Sequence, residues 1–176
     1  MKTKNIIFGA LSGLFSLLII VPLCITNWVY YRNDVVAEDG AGMFADWSAM
    51  AKIWEAADKS YLTFFLVLIQ IFAIAALVAG VVYLLLYILD MAKVTKPEKT
   101  SALKKFLSWI MIISGIIVLI SGLVFMFGTI SESSILGVTI KAGYKGAAGF
   151  YLAFIFPILA GVAGILGAGK AKKSKK

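Results

Sequence analysis

Four carboxylates in one polar stretch, Asp34, Glu38, Asp39 and Asp46, come nearest to chemistry by residue type. Clustered acids can hold Ca²⁺ or act as an acid and base pair. Their spacing matches no Ca²⁺-loop pattern, and no nucleophile with a neighbouring base accompanies them, so they read as solvated charge. The chain has no histidine and one cysteine, Cys24. That removes histidine-based metal sites, Ser-His-Asp triads, structural disulfides and thiol redox pairs. Cys24 follows Leu23, where lipid-modified signal sequences carry a small residue, and it reads as a packing residue in an apolar stretch. No glycine-rich motif follows a strand to cradle phosphate. No catalytic, cofactor-binding or metal-binding residue is therefore expected, and the chain reads as a non-enzyme.

The elements that hold these residues follow from hydropathy. Of 176 residues, 61% are hydrophobic and 15% charged, with a mean hydropathy of +0.96, against roughly 45–50% apolar and about 25% charged in a soluble domain. Four stretches carry no charge: Asn5 to Tyr31, Ser60 to Leu89, Phe106 to Ser131 and Gly146 to Gly169. A helix crosses a hydrocarbon core of ~30 Å with about 20 apolar residues, so each run is long enough. The first run exceeds a signal-peptide core and no Ala-x-Ala-like site follows it, so it reads as a retained span. The expected fold is an all-α integral membrane protein in a single domain, a four-transmembrane-helix bundle with an additional amphipathic outer helix between the first and second spans. The spans fall at about 6–31, 60–89, 106–130 and 146–169. They are joined by outer loops 32–59 and 131–145, a cytoplasmic loop 90–105 and a basic tail 170–176.

Twelve lysines and only two acids, Asp90 and Glu98, lie in the N-terminal tail, the 90–105 loop and the C-terminal tail; the other two loops hold five bases and seven acids. Lysine and arginine are retained on the cytoplasmic side. Both termini are thus expected in the cytoplasm, in a plasma membrane. Sorting of the basic residues by membrane side also accounts for the net charge of +8, leaving no reason to invoke nucleic acid. The tail Lys170 to Lys176, with Ser174 within it, anchors topology and suits anionic lipid at the cytoplasmic face.

Within lipid, helices associate through small residues and hydrogen bonds. In the third span Ser114, Ser121 and Gly128 recur every seven positions, flanked by Gly115, Gly122 and Thr129 at the same interval. The fourth span carries Gly146, Ala153, Ala160 and Gly167, with Gly164 one turn from Ala160. These faces are expected to touch. Gly9 and Gly13 in the first span, and Ala76 and Gly80 in the second, make further small-residue pairs, for contacts within the chain or with a second copy or another membrane protein. Pro22 and Pro157 lie inside spans and predict kinks.

In the first outer loop Phe44, Trp47, Ala51 and Trp54 recur at helical spacing. Trp and Tyr favour the headgroup level, which puts Phe44, Trp47, Trp54 and Tyr61 at the outer interface. Asp58 interrupts the apolar phase and predicts a bend there; the alternative is one helix from about Asp46 to Met91, about 69 Å long. In the second outer loop Val138-Thr139-Ile140 between Gly137 and Gly143 suggests a short hairpin, or pairing with Val29 to Val36.

No ionisable residue is expected deep in a span. Gln70 is the most polar side chain at depth and reads as interhelical glue. Small four-helix drug exporters use a glutamate in their first span, which this chain lacks. Four spans with cytoplasmic termini and a longer first outer loop resemble the plan of claudin-like and MARVEL-type tetraspan proteins, in topology only: the claudin Trp-Gly-Leu-Trp motif and loop cysteines are missing around Trp47 and Trp54. The expected function is that of a scaffold, accessory subunit or interaction partner. The alternative is a small channel or carrier subunit, without a buried ionisable coupling residue, working around Gln70 and the two prolines.

Overall fold

The computed structural model describes residues 3–25, 27–33, 39–45, 47–135 and 138–168. Four helical segments are long and apolar enough to cross a membrane. The first, Thr3–Cys24, consists of α1 (Thr3–Leu18) and a short α2 (Ile20–Cys24). Pro22 explains the break: it has no N–H to give the Leu18 carbonyl, and its ring crowds that carbonyl. The chain then runs through β1 (Val29–Asn33), β2 (Asp39–Ala41) and α3 (Ser48–Ala56) into the second span, α4 (Tyr61–Met91). The third span, α5 (Pro97–Thr129), leads through β3 (Ser131–Ile135) and β4 (Val138–Gly146) to the fourth, α6 (Ala148–Gly167). Around the bundle α1 packs on α4, α4 on α5, α5 on α6, and α6 back on α1. One end carries the strands; the other, the terminal end, carries the N-terminus, the α4–α5 turn and the end of α6.

The flank of the bundle is apolar. All four spanning segments expose large apolar side chains at helical intervals, as in Phe64, Val67, Ile71, Ile74 and Val78 of α4 and Ile113, Ile116, Ile120, Leu123 and Phe127 of α5. The interior also holds Ser12, Ser16, Ser108, Ser114 and Ser121, buried beside apolar side chains such as Leu62, Ile69, Met111 and Phe125. Water tolerates only small apolar patches, whereas in lipid the outside is apolar and the contacts are small.

Several expectations are corrected. The fold is not all-α: a four-stranded antiparallel sheet in the order β2-β1-β4-β3 ties the two connections at its end together. Val29 pairs with both Ala41 and Gly146, and Tyr31 with Asp39 and Tyr144. The first span stops at Cys24, and Val29–Tyr31 belong to β1. Most of the expected 90–105 loop is helix. Met91 ends α4 and Pro97 starts α5, where a proline at the first helical position loses nothing and Glu98 suits the positive helix end. Helix α6 spans Ala148–Gly167, and Gly146 closes β4.

The bend falls at Asp58. Its φ is 56°, and its N–H reaches the Glu55 carbonyl while that of Lys59 reaches Trp54 at 2.7 Å, a left-handed helix stop. Lys93, with φ 59°, ends α4 in the same way: the Lys93 N–H bonds to the Asp90 carbonyl and that of Val94 to the Leu89 carbonyl.

Candidate functional site

Two polar arrangements stand out, one at each end. At the terminal end, Asp90 lies in the last turn of α4, and Lys104 lies two turns into α5. Lys104 Nζ is 2.5 Å from Asp90 Oδ2, with the side chains 2% and 0% exposed. Thr95 and Thr100 hydroxyls also donate to the carboxylate, the latter at 2.7 Å. A buried ionisable pair thus sits at the terminal end of the helical bundle, between the last turn of α4 and the start of α5. Extra turns of α4 and α5 drew both residues out of what read as a loop. Nearby, Ser101 Oγ donates to the Ala168 carbonyl at 2.7 Å, Ser108 Oγ to Lys104 at 2.7 Å, and Ser12 Oγ to Ala160 at 2.8 Å. The Tyr87 hydroxyl reaches the Ile6 carbonyl at 3.0 Å. Each group has a partner in the seam, so its chemistry is that of a clamp on four helices. A buried pair of this kind is costly to desolvate and costlier to break.

The small residues act at close approaches, though not always to the expected neighbour. A Cβ on Gly115 would lie 2.9 Å from the Phe154 carbonyl oxygen of α6, and one on Gly122 would strike the Phe150 ring. Gly128 faces Leu62 and Tyr61 of α4, and Gly167 faces the backbone of Gly9 on α1. Gly9 and Gly13 meet Tyr87 and Leu84 of α4, while Gly80 meets Ser16 of α1. Gly164 approaches Ser108, Ser12 and Tyr83 together. Ala76, Ala153 and Ala160 are buried, and Gly146 approaches Phe150 and Met126 from the strand.

At the sheet end the tryptophans are core rather than interfacial. Trp47 and Trp54 stack with centroids 6.2 Å apart, and Phe125 of α5 meets both edge-on. Tyr144 of β4 meets Trp47 at 5.5 Å, and Trp28 meets Phe150 at 5.4 Å. A short helix with one apolar face can spend it on lipid or on protein; here Trp54 joins a buried cluster with Trp47, Leu66 and Phe125. Phe44 and Tyr61 remain exposed. Gln70 does not join two helices. Its Nε2 donates to the Met43 carbonyl at 2.8 Å, holding the β2–α3 connection down into the bundle. Lys59 Nζ caps α5 through the Gly128 carbonyl at 2.9 Å. Of the four outer acids, Asp39 lies in β2; Asp34, Glu38 and Asp46 fall outside the described residues, as do 170–176.

The sheet's two faces have different jobs. Val29, Tyr31 and Tyr144 share one face, buried at Val29 and exposed at Tyr31, because opposite residues in an antiparallel ladder share a side and alternate along each strand. By the same rule Tyr30, Arg32, Lys141, Gly143 and Lys145 share the other. That face and the end of α5 enclose a groove of about 540 Å³, floored by Leu123, Met126, Phe127 and Ile130 and flanked by Tyr151. Its cations come from two loops more than a hundred residues apart in sequence. Along β4 the only sequence signal was Lys141 and Lys145 on alternate positions, with Gly143 between them. Burial pushes the Tyr144 hydroxyl above its ordinary pKa, and the neighbouring Tyr31 adds to this.

A scan against protein-family models gives no match to the chain. A search of curated proteins gives none either.

Proposed function

We propose that this chain is a non-enzymatic four-span integral membrane protein that serves as a scaffold or accessory subunit. In this reading its termini lie in the cytoplasm and its sheet on the outer face of the plasma membrane. One observation carries the reading: the bundle is closed by small-residue contacts and a satisfied polar seam, while all four long helical segments expose large apolar side chains and a folded sheet crowns one end. Lys93, Lys96, Lys99 and Lys105 cluster at the end opposite the sheet, on the side where positive charge is retained. Anionic lipid at that face, and a second membrane protein or a second copy, are the partners this surface suits. The sheet ends on β2 and β3, short strands that offer backbone groups to a partner.

The test has two arms. Cysteines placed singly at Lys52 and Ser174, in a Cys24→Ser background, should be labelled by an impermeant reagent from outside and from inside respectively. Purification in gentle detergent should recover a partner or a defined oligomer. A lone monomer, or labelling of both sites from one side, overturns the reading.

A further inference from the structure

The segments at the sheet end hold five cations, Arg32, Lys52, Lys59, Lys141 and Lys145, among seven acids. Three of the five line one groove, and none of the groove's lining residues is acidic. The ladder forces this gathering, since Tyr30 lies opposite Lys145 and Arg32 opposite Gly143. Lys141 is also paired with Glu132 at 2.7 Å, so Arg32 and Lys145 are the principal charges. Below them the floor is apolar and continues as the exposed stripe of α5, with Phe127 70% exposed, then Leu123, Ile120, Ile116 and Ile113. Gly143 keeps β4 close to α5: a Cβ there would lie 3.1 Å from Ile130 Cα.

A cationic rim above an apolar slope that descends the spanning helix is complementary to one kind of molecule. We propose that this groove binds an anionic phospholipid, with its phosphate at Arg32 and Lys145 and one acyl chain along Leu123 and Phe127. A free anion would make no use of the slope. A zwitterionic lipid would leave the rim unneutralised. This inference needs only the spans and does not depend on a scaffold role.

Native mass spectrometry of the full chain in detergent tests it, with dioleoyl phosphatidylglycerol and dioleoyl phosphatidylcholine as probes carrying identical chains. Wild type should retain the phosphatidylglycerol about ten-fold better, and Arg32→Gln with Lys145→Gln should weaken that binding about thirty-fold, from roughly five-fold per removed cation. Lys52→Gln with Lys99→Gln removes equal charge elsewhere and should leave it within about two-fold, since charge beyond a Debye length is screened. Leu123→Trp, which fills the slope from an exposed position, should weaken both lipids. Equal retention of the two lipids by wild type overturns the proposal, as does equal loss in the Lys52/Lys99 variant. Displacement of the bound lipid by excess inorganic phosphate also overturns it, by showing that the rim alone suffices. Should the Arg32/Lys145 variant fail to fold, the wild-type lipid comparison and Leu123→Trp still decide the matter.

Discussion

Lys104 and Asp90 form an ion pair across the α4–α5 contact, with Nζ 2.5 Å from Oδ2 and almost no exposure on either side. Lys104→Met leaves the Asp90 carboxylate buried with only Thr95 and Thr100 as donors. The expected loss is about 3–5 kcal/mol, and Lys104→Met with Asp90→Leu should recover much of it, because a matched apolar pair carries no desolvation penalty. Thermal unfolding in detergent, read for both singles and the double, checks the non-additivity.

Gly167→Ala should be more disruptive than Gly13→Ala. The new methyl at 167 meets the Gly9 backbone at 2.6 Å, which yields only if α6 and α1 separate, whereas at 13 it meets Leu84 Cδ1 at 2.9 Å, the tip of a side chain that can turn away. Overpacking against backbone costs about 1–3 kcal/mol. Melting temperatures of the two variants should therefore differ in that order.

Lys93→Gly should raise stability by about 1 kcal/mol, since a left-handed conformation strains an L side chain but not glycine. Lys93→Ala should bring no such gain. Asp58→Gly should help less, because aspartate tolerates this region better than lysine. Denaturation midpoints of the three variants check the order.

Gln70→Leu removes the donor to the Met43 carbonyl and should cost about 1–3 kcal/mol by stranding a buried acceptor. Solute flux through proteoliposomes, assayed for wild type and this variant, should be absent from both. Flux that the substitution alters would instead support the channel or carrier alternative.

Alkaline pH should weaken the sheet end through Tyr144, whose hydroxyl ionises above the usual tyrosine value in the folded chain because of burial. The unfolded chain ionises first, near pH ~10. The stabilisation is therefore whole below that pH and is lost as pH rises through the folded-state value. Tyr144→Phe should flatten this part of the stability profile, read by circular dichroism against pH.

The spans were legible because an uncharged run of sufficient length has few other uses; the small-residue intervals fell at close approaches, but Gly128 faces α4 and Gly167 faces α1 rather than each other's helix. The sequence alone also showed the asymmetry of lysine between the two ends. It could not show that α5 begins at Pro97: Lys99, Lys104 and Lys105 make that stretch look solvated, and only packing against Asp90 gives Lys104 a buried partner. Trp47 and Trp54 have helical spacing that suits lipid and protein equally, and the rings of Phe125 and Tyr144, brought to them by the fold, decided between the two. The basic groove is the most tertiary feature of all. Arg32 and Lys145 become neighbours through strand register, a relation between distant segments that no local periodicity encodes.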